Sequence, residues 1–261
     1  MNPLIWLQNT VRNQARGSLL GRMFQQKDVN KQLQSLRIVT ATRMTEQDFW
    51  RNSALGRSLK LWRSNKQIST DIHFENKEGL PKIYNAHLLN PGTADALLFI
   101  HDDIWLDDPE WLPKIMAGLR RFDIVGVAGN TEIAPRQPAW CYRTLENGQF
   151  TSFESSVLSG SVGHGPLPNG QVSVFGPSPA ACRLMDGLFL AVRSSVVHRS
   201  RLFFDEQFDF HFYDLDFCRS AKRLGLSLGT WPISLTHQSG GAFASDSWRT
   251  SYAHYLDKWK S

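Results

Sequence analysis

The sequence predicts an α/β protein with a mostly parallel central sheet flanked by helices. Three observations carry that expectation. Apolar strand-like runs alternate with amphipathic helical stretches through residues 36–129. The run Ala96–Ile100 is apolar without interruption, as in a strand buried on both faces. The 261 residues, 41% hydrophobic and 20% charged, supply a large core and lack a disordered composition.

The elements follow in order. Residues 36–41 read as the first strand. "TEQDFWRNSALGRSLKLW" reads as one helix, with Thr45 as N-cap and Asp48 at the capping-box position. "ISTDIHFEN" is a second strand. "GLPKIYNAHLLN" is a short helix with proline at its start, ending near Asn90, Pro91 and Gly92. "ALLFIHDD" is a third strand. "DPEWLPKIMAGLRRF" is a helix with Asp108 near its cap, and "DIVGVAG" is a fourth strand. From Asn130 to Met185 the chain is rich in glycine, proline, serine and aromatics, which points to functional loops and argues against helix. "DGLFLAVRSSVV" restores a strand and a turn of helix. "YDLDFCRSAKRLG" is a helix with an apolar stripe at Leu215, Cys218, Ala221 and Leu224, stopped by Gly225. "LSLGTW" is a strand, and "SWRTSYAHYLDKWK" a helix. Residues 1–35 read as a helical extension packed on the domain or on a partner, with an amphipathic helix on a membrane surface as the alternative.

Composition narrows the function. The net charge of +5 suits nucleotides, anionic lipids or nucleic acid. The basic residues are spread along the chain and form no nucleic-acid-binding motif, so no nucleic-acid partner is expected. Cys141, Cys182 and Cys218 are few, odd in number and far apart, which argues against a disulfide framework or a zinc site. No apolar run approaches the ~20 residues that span a bilayer. The expectation is a cytoplasmic protein.

The chemistry concentrates at a few places. His101, Asp102 and Asp103 follow a buried strand directly, and ligands of open α/β sheets bind beyond the carboxyl ends of strands. Paired acids there can hold a divalent metal and, through it, a diphosphate. Capping the next turn is the plainer role. Asp214 lies at the mouth of a helix, where an anion is stabilised, either as a cap or as a fixed proton acceptor. Asp216 reads as structural. His237 stands on a loop after a strand, before a glycine pair.

Taken in order, these pieces resemble the family-2-type glycosyltransferases of the GT-A nucleotide-sugar-binding fold. The resemblance covers residues 36–261. "FYDLDFCRSAKRLG" looks like that family's E-D-x-D-F-x-x-R helix, "HDD" like its D-x-D, "DGLFLAVRSS" like its acceptor-side strand and "YLDKWK" like a common Lys-Trp ending. It implies a nucleotide-binding half over 36–129 and an acceptor-binding and catalytic half over 130–261. Residue by residue, it implies Asp103 as a metal ligand, with His237 and His101 completing the metal shell and Asp102 touching ribose or that shell. Asp214 corresponds to the catalytic base. Thr40 and Thr42 correspond to nucleoside contacts, and Asn76, Lys82 and Asn85 to the helix under the base. Two replacements stand out: His101 for the first acid of D-x-D, and Tyr213 for the glutamate before the base. The second-strand acid corresponds to Asp71 or Glu75. For the acceptor, Asp186 beside Gly187 is the best candidate, with Trp140, His164 and Trp231 as aromatic sugar contacts.

The implied activity is inverting, metal-dependent transfer of a sugar from a nucleotide-sugar, with UDP as the expected nucleotide and Mn²⁺ or Mg²⁺ as cofactor, to a hydroxyl of a glycan or glycolipid. A nucleotidyltransferase would carry a glycine-rich phosphate loop after the first strand, and "TATRMTEQD" has none. A non-catalytic nucleotide-sugar-binding or scaffold protein descended from a transferase is the other reading.

Overall fold

A computed structural model describes residues 33–239 and 243–260. The expected extension over residues 1–35 lies outside them, apart from its last three residues. β1 (Leu36–Ala41) runs parallel to β2 (Ile68–His73) on one side and to β3 (Ala96–Ile100) on the other. Every residue of β3 is buried, as its unbroken apolar run requires.

The single helix expected after β1 is broken in two. α1 (Glu46–Asn52) starts as its cap predicts, with Thr45 Oγ1 accepting the Asp48 N–H at 3.2 Å. Ser53 then turns extended, and its Oγ accepts the Gly56 N–H at 2.8 Å to begin α2 (Ala54–Leu59). Gly56 packs against the Phe49 carbonyl so closely that a Cβ would collide with it, so the break depends on glycine. α3 (Leu80–Leu89) carries its proline in the first turn.

After β3 the chain turns at His101–Asp103 and leaves the first sheet. β4 (Ile104–Leu106) belongs to a second sheet, and α4 (Trp111–Arg121) follows. The expected fourth strand is divided at Val127, with β5 (Ile124–Gly126) in the first sheet and β6 (Ala128–Asn130) in the second. The glycine-rich stretch is strand-bearing and without helix. It forms a hairpin of β7 (Tyr142–Thr144) and β8 (Phe150–Ser152), then β9 (Leu158–His164), β10 (Gln171–Gly176), β11 (Ala181–Cys182) and β12 (Leu184–Met185).

β13 (Phe189–Arg193) re-enters the first sheet and leads into α5 (Ser194–Ser200). α6 (Tyr213–Arg223), β14 (Leu228–Thr230), β15 (Leu235–His237) and α7 (Asp246–Trp259) complete the fold. In α6 the apolar stripe holds at Leu215, Cys218 and Ala221, but Leu224 is 49% exposed because the helix ends there.

The first sheet has the order β11-β14-β5-β13-β3-β1-β2, and the second β12-β6-β9-β15-β4 with β10 on β9. The expectation of a mostly parallel sheet is corrected: the central sheet is mixed. β13 runs antiparallel to both its neighbours, β3 and β5. A strand that follows a crossover helix is held parallel, whereas β13 follows an excursion through the second sheet and is free of that constraint. The reversal matters for the site. An antiparallel β13 begins where β3 ends, so Phe189 pairs with Ile100 and the His101 N–H donates to the Leu188 carbonyl at 3.1 Å.

α7 is pinned at its far end. Lys258 Nζ lies 2.7 Å from Asp216 and 2.6 Å from Asp205, and Trp259 Nε1 donates to Asp216 at 2.9 Å. The guanidinium groups of Arg219 and Arg223 lie 4.3 and 4.2 Å from the Trp259 ring centre. Asp216 thus has the structural role read from the sequence. No helix among the described residues is long and apolar enough to cross a membrane.

Candidate functional site

The site lies at the carboxyl end of β3. Asp103 immediately precedes β4, and β4 pairs antiparallel with β15 so that Ile104 faces His237. That register sets His237 Nε2 3.1 Å from Asp103 Oδ2. His101, Asp103 and His237 each offer a ligand atom within 4.8 Å of the others. The other Asp103 carboxylate oxygen, Oδ1, is buried and has no hydrogen-bond partner. A buried anionic oxygen without a donor beside two imidazoles suits a divalent cation. Burial pushes the Asp103 carboxyl up, but the His237 hydrogen bond and charge outweigh it and bring it down to about 2. His237 is raised in return: burial disfavours its charge, and Asp103 overcomes that.

Beside this cluster stands a second pair of acids. The antiparallel start of β13 brings Asp186 and Gly187 next to the end of β3, and α6 places Asp214 against them. Asp214 Oδ2 accepts the Gly187 N–H and Oδ1 accepts the Leu215 N–H, each at 2.9 Å. Asp186 Oδ2 accepts from Trp140 Nε1 at 2.7 Å, and its Oδ1 from the Leu188 N–H at 3.0 Å. Gly187 allows the approach, because a Cβ there would collide with the Tyr213 hydroxyl and the Asp214 Cβ. Burial and the Asp186 charge raise the Asp214 carboxyl to about 7 against the opposing pull of those two N–H donors. Asp214 is therefore a carboxylate with the proton affinity of a general base near neutrality.

A cleft of about 1250 Å³ leads away from Asp102. One wall is the turn after β1 and the β2–α3 loop, with Thr42, Glu75 and Asn76. The other is Phe210, His211 and the α7 residues Ser251 and His254. The His101 ring stacks on Phe210, a residue of the cleft lining, with centroids 5.7 Å apart, so the candidate metal cluster neighbours the cleft. Burial raises the Asp102 carboxyl, and a hydrogen bond from Thr42 partly offsets the rise.

The sequence-read residues separate into those brought together here and those not. Thr42, Asn76 and Asp102 line the cleft. Thr40 is fully buried in β1 and does not reach it. Lys82 lies on the exposed face of α3, paired with Glu78 at 2.5 Å. Asn85 is buried, with its amide spent on the Phe204 backbone and Glu206. Of the two second-strand acids, Glu75 lines the cleft while Asp71 pairs with Arg37 and His87. On the acceptor side, Trp140 is buried and holds Asp186. His164 is exposed, its ring centre 6.2 Å from that of His237. The Trp231 ring packs on Gly118 of α4. Sequence reasoning missed the contribution of Phe210, His211 and α7. The helix itself was legible, but nothing local said which surface it would cover.

No protein family and no curated protein matches the chain. Among solved structures it is similar to GalNAc-T7, determined with UDP, GalNAc and Mn²⁺, at 12% identity and a TM-score of 0.49, over 87% of this chain and 50% of that one. A protein from STIV is similar at 10% identity and a TM-score of 0.43, over 76% of this chain and 82% of that one. So is S. aureus TarS 1-349, at 10% identity and a TM-score of 0.42, over 78% of this chain and 60% of that one. This chain spans half the length of the GalNAc-T7 structure.

Proposed function

We propose that this protein is a metal-dependent, inverting GT-A-like glycosyltransferase that moves a sugar from a nucleotide-sugar to a hydroxyl of a glycan or glycolipid. One observation carries the reading: the unpartnered, buried Asp103 Oδ1 sits with His101 and His237, next in sequence to Asp102, which lines a cleft of about 1250 Å³.

In this reading the nucleoside lies between the turn after β1 and α7, against Thr42, Glu75 and Asn76. The diphosphate ends at the cluster of His101, Asp103 and His237. A dication held there, Mn²⁺ or Mg²⁺, supplies Lewis-acid neutralisation of the leaving diphosphate. Asp102 meets the ribose side of the donor. Asp214 accepts the proton of the acceptor hydroxyl as that oxygen attacks the anomeric carbon. The neighbouring carboxylate, Asp186, has both oxygens held by Trp140 Nε1 and the Leu188 N–H, so Asp214 acts as a single base, the attack is in line and the anomeric configuration inverts. Asp186, fixed by Trp140, orients the acceptor hydroxyl, and His164 borders the acceptor side. UDP is the proposed nucleotide and the cytoplasm the proposed compartment.

Calorimetric titration of UDP, with and without Mn²⁺, tests this in wild type and Asp103→Ala. The expected result is binding that needs the metal and disappears in the variant. If UDP, GDP, CMP and dTDP all fail to bind in the presence of metal, the transferase reading is wrong and a scaffold role replaces it.

A further inference from the structure

The two positions where the sequence departs from the transferase pattern, His101 and Tyr213, are partners in space. They lie 112 residues apart in the chain, and His101 Nε2 is 2.8 Å from the Tyr213 hydroxyl. That hydroxyl is also 2.9 Å from the Gly187 carbonyl, to which it donates. A phenol has one proton, and a carbonyl can only accept. With the proton committed to Gly187, the contact with His101 requires the hydrogen on Nε2. A neutral imidazole protonated at Nε2 keeps its lone pair on Nδ1. The ring is also held from the side by Phe210, stacked at 27° between planes.

We propose that Tyr213 is a positioning residue for the metal centre: it fixes His101 in the Nε2–H form, so that Nδ1 is the nitrogen that binds the cation. The inference rests on the metal-site reading above. The chain running from the Gly187 carbonyl through Tyr213 to His101 ties the metal ligand to the same residue whose N–H holds Asp214. Donor cluster and base therefore share one anchor. With His101 fixed as a nitrogen ligand, the donor set is two imidazoles and one carboxylate. That set suits a transition-metal dication better than Mg²⁺, which prefers oxygen ligands.

Four measurements on the full chain test this. Long-range ¹H–¹⁵N NMR of the metal-free wild type should show His101 protonated at Nε2, and it requires no variant. Calorimetry should give Mn²⁺ binding tighter than Mg²⁺ binding in the wild type. Tyr213→Phe should weaken Mn²⁺ about 10–100-fold, the usual cost of losing such a supporting hydrogen bond. In a His101→Asp background the same Tyr213→Phe change should cost nothing more, because Tyr213 acts through the imidazole. An Nδ1–H form of His101, an unchanged Mn²⁺ affinity in Tyr213→Phe, or an equal loss in both backgrounds overturns this inference alone. A wild type that binds UDP but no divalent metal overturns both this inference and the metal-dependent reading.

Discussion

The corner around Asp103 and the corner around Asp214 use the same side chain to opposite ends. Asp103 follows a strand, meets an imidazole at 3.1 Å and is brought down to about 2. Asp214 opens a helix, where the dipole favours the anion, yet burial and the neighbouring Asp186 lift it to about 7. The comparison teaches that local position does not assign the role. A strand end and a helix end are both common homes for a carboxylate. The partner each receives from a distant part of the chain sets its proton affinity, and it is on that difference that the proposed roles of cation ligand and proton acceptor rest.

Breaking the base corner should have the largest effect. Asp214→Asn should lower turnover about 10²–10⁴-fold, while metal-dependent UDP binding, followed by calorimetry, stays at the wild-type value. An equal loss of binding would move Asp214 from the base to the donor site.

The same residue sharpens the contrast through stability. In the metal-free protein Asp214 keeps its proton to about pH 7, whereas the unfolded chain releases it near pH 4. The native state thus binds more protons between those values, and stability falls as pH rises through that window. At about 1.4 kcal/mol per pKa unit, the wild type should lose a few kcal/mol of stability between pH 4 and pH 8 through this group. Asp214→Asn should lack that pH dependence, although its amide NH2 faces one of the two backbone N–H donors and lowers its stability at both values. Urea unfolding at the two values checks the sign. The wild-type turnover should fall on the acid side, with a midpoint at or below pH 7, as the base is protonated.

Next in size is the clamp that seats the cleft wall. Lys258→Met leaves Asp216, 1% exposed, without its cation. A loss of about 3 kcal/mol is expected, with weaker UDP binding because α7 carries Ser251 and His254 of the wall. Thermal unfolding and calorimetry on one variant measure both. The smallest change is expected from Trp140→Phe, which removes the indole donor to Asp186. A destabilisation of about 1.5 kcal/mol follows from the lost charge-assisted hydrogen bond, measured by denaturant titration.

Much of the scaffold was legible because its signals are local. β1 ends where the sequence placed it, and the Thr45 cap and the Gly225 stop act as read. Local signals failed where tertiary partners decide. No periodicity marks Val127 as the point where one apolar run passes between two sheets. Nor does anything near residue 189 say that β13 will run backward. At the site, the acids at strand and helix ends were visible as chemistry. Thr40, Lys82 and Asn85 were placed by analogy of position, and the structure turns them into the core, toward Glu78 and toward Phe204. Trp140 looked like a sugar platform, but its indole N–H is used on Asp186.

The reversed β13 has a kinetic consequence. Its start can meet the end of β3 only after the chain has travelled through the second sheet, and the His101–Tyr213 contact closes a loop of 112 residues. Loop closure of that length is costly before any contact repays it, and non-local pairings fold slowly. The local contacts of helices α3 and α4 can form early, so a refolding chain should regain helical far-ultraviolet circular dichroism first. The His101–Asp103–His237 cluster should form later, and with it any binding of Mn²⁺ at the proposed site, because the cluster is assembled from both sheets and exists only once they have met.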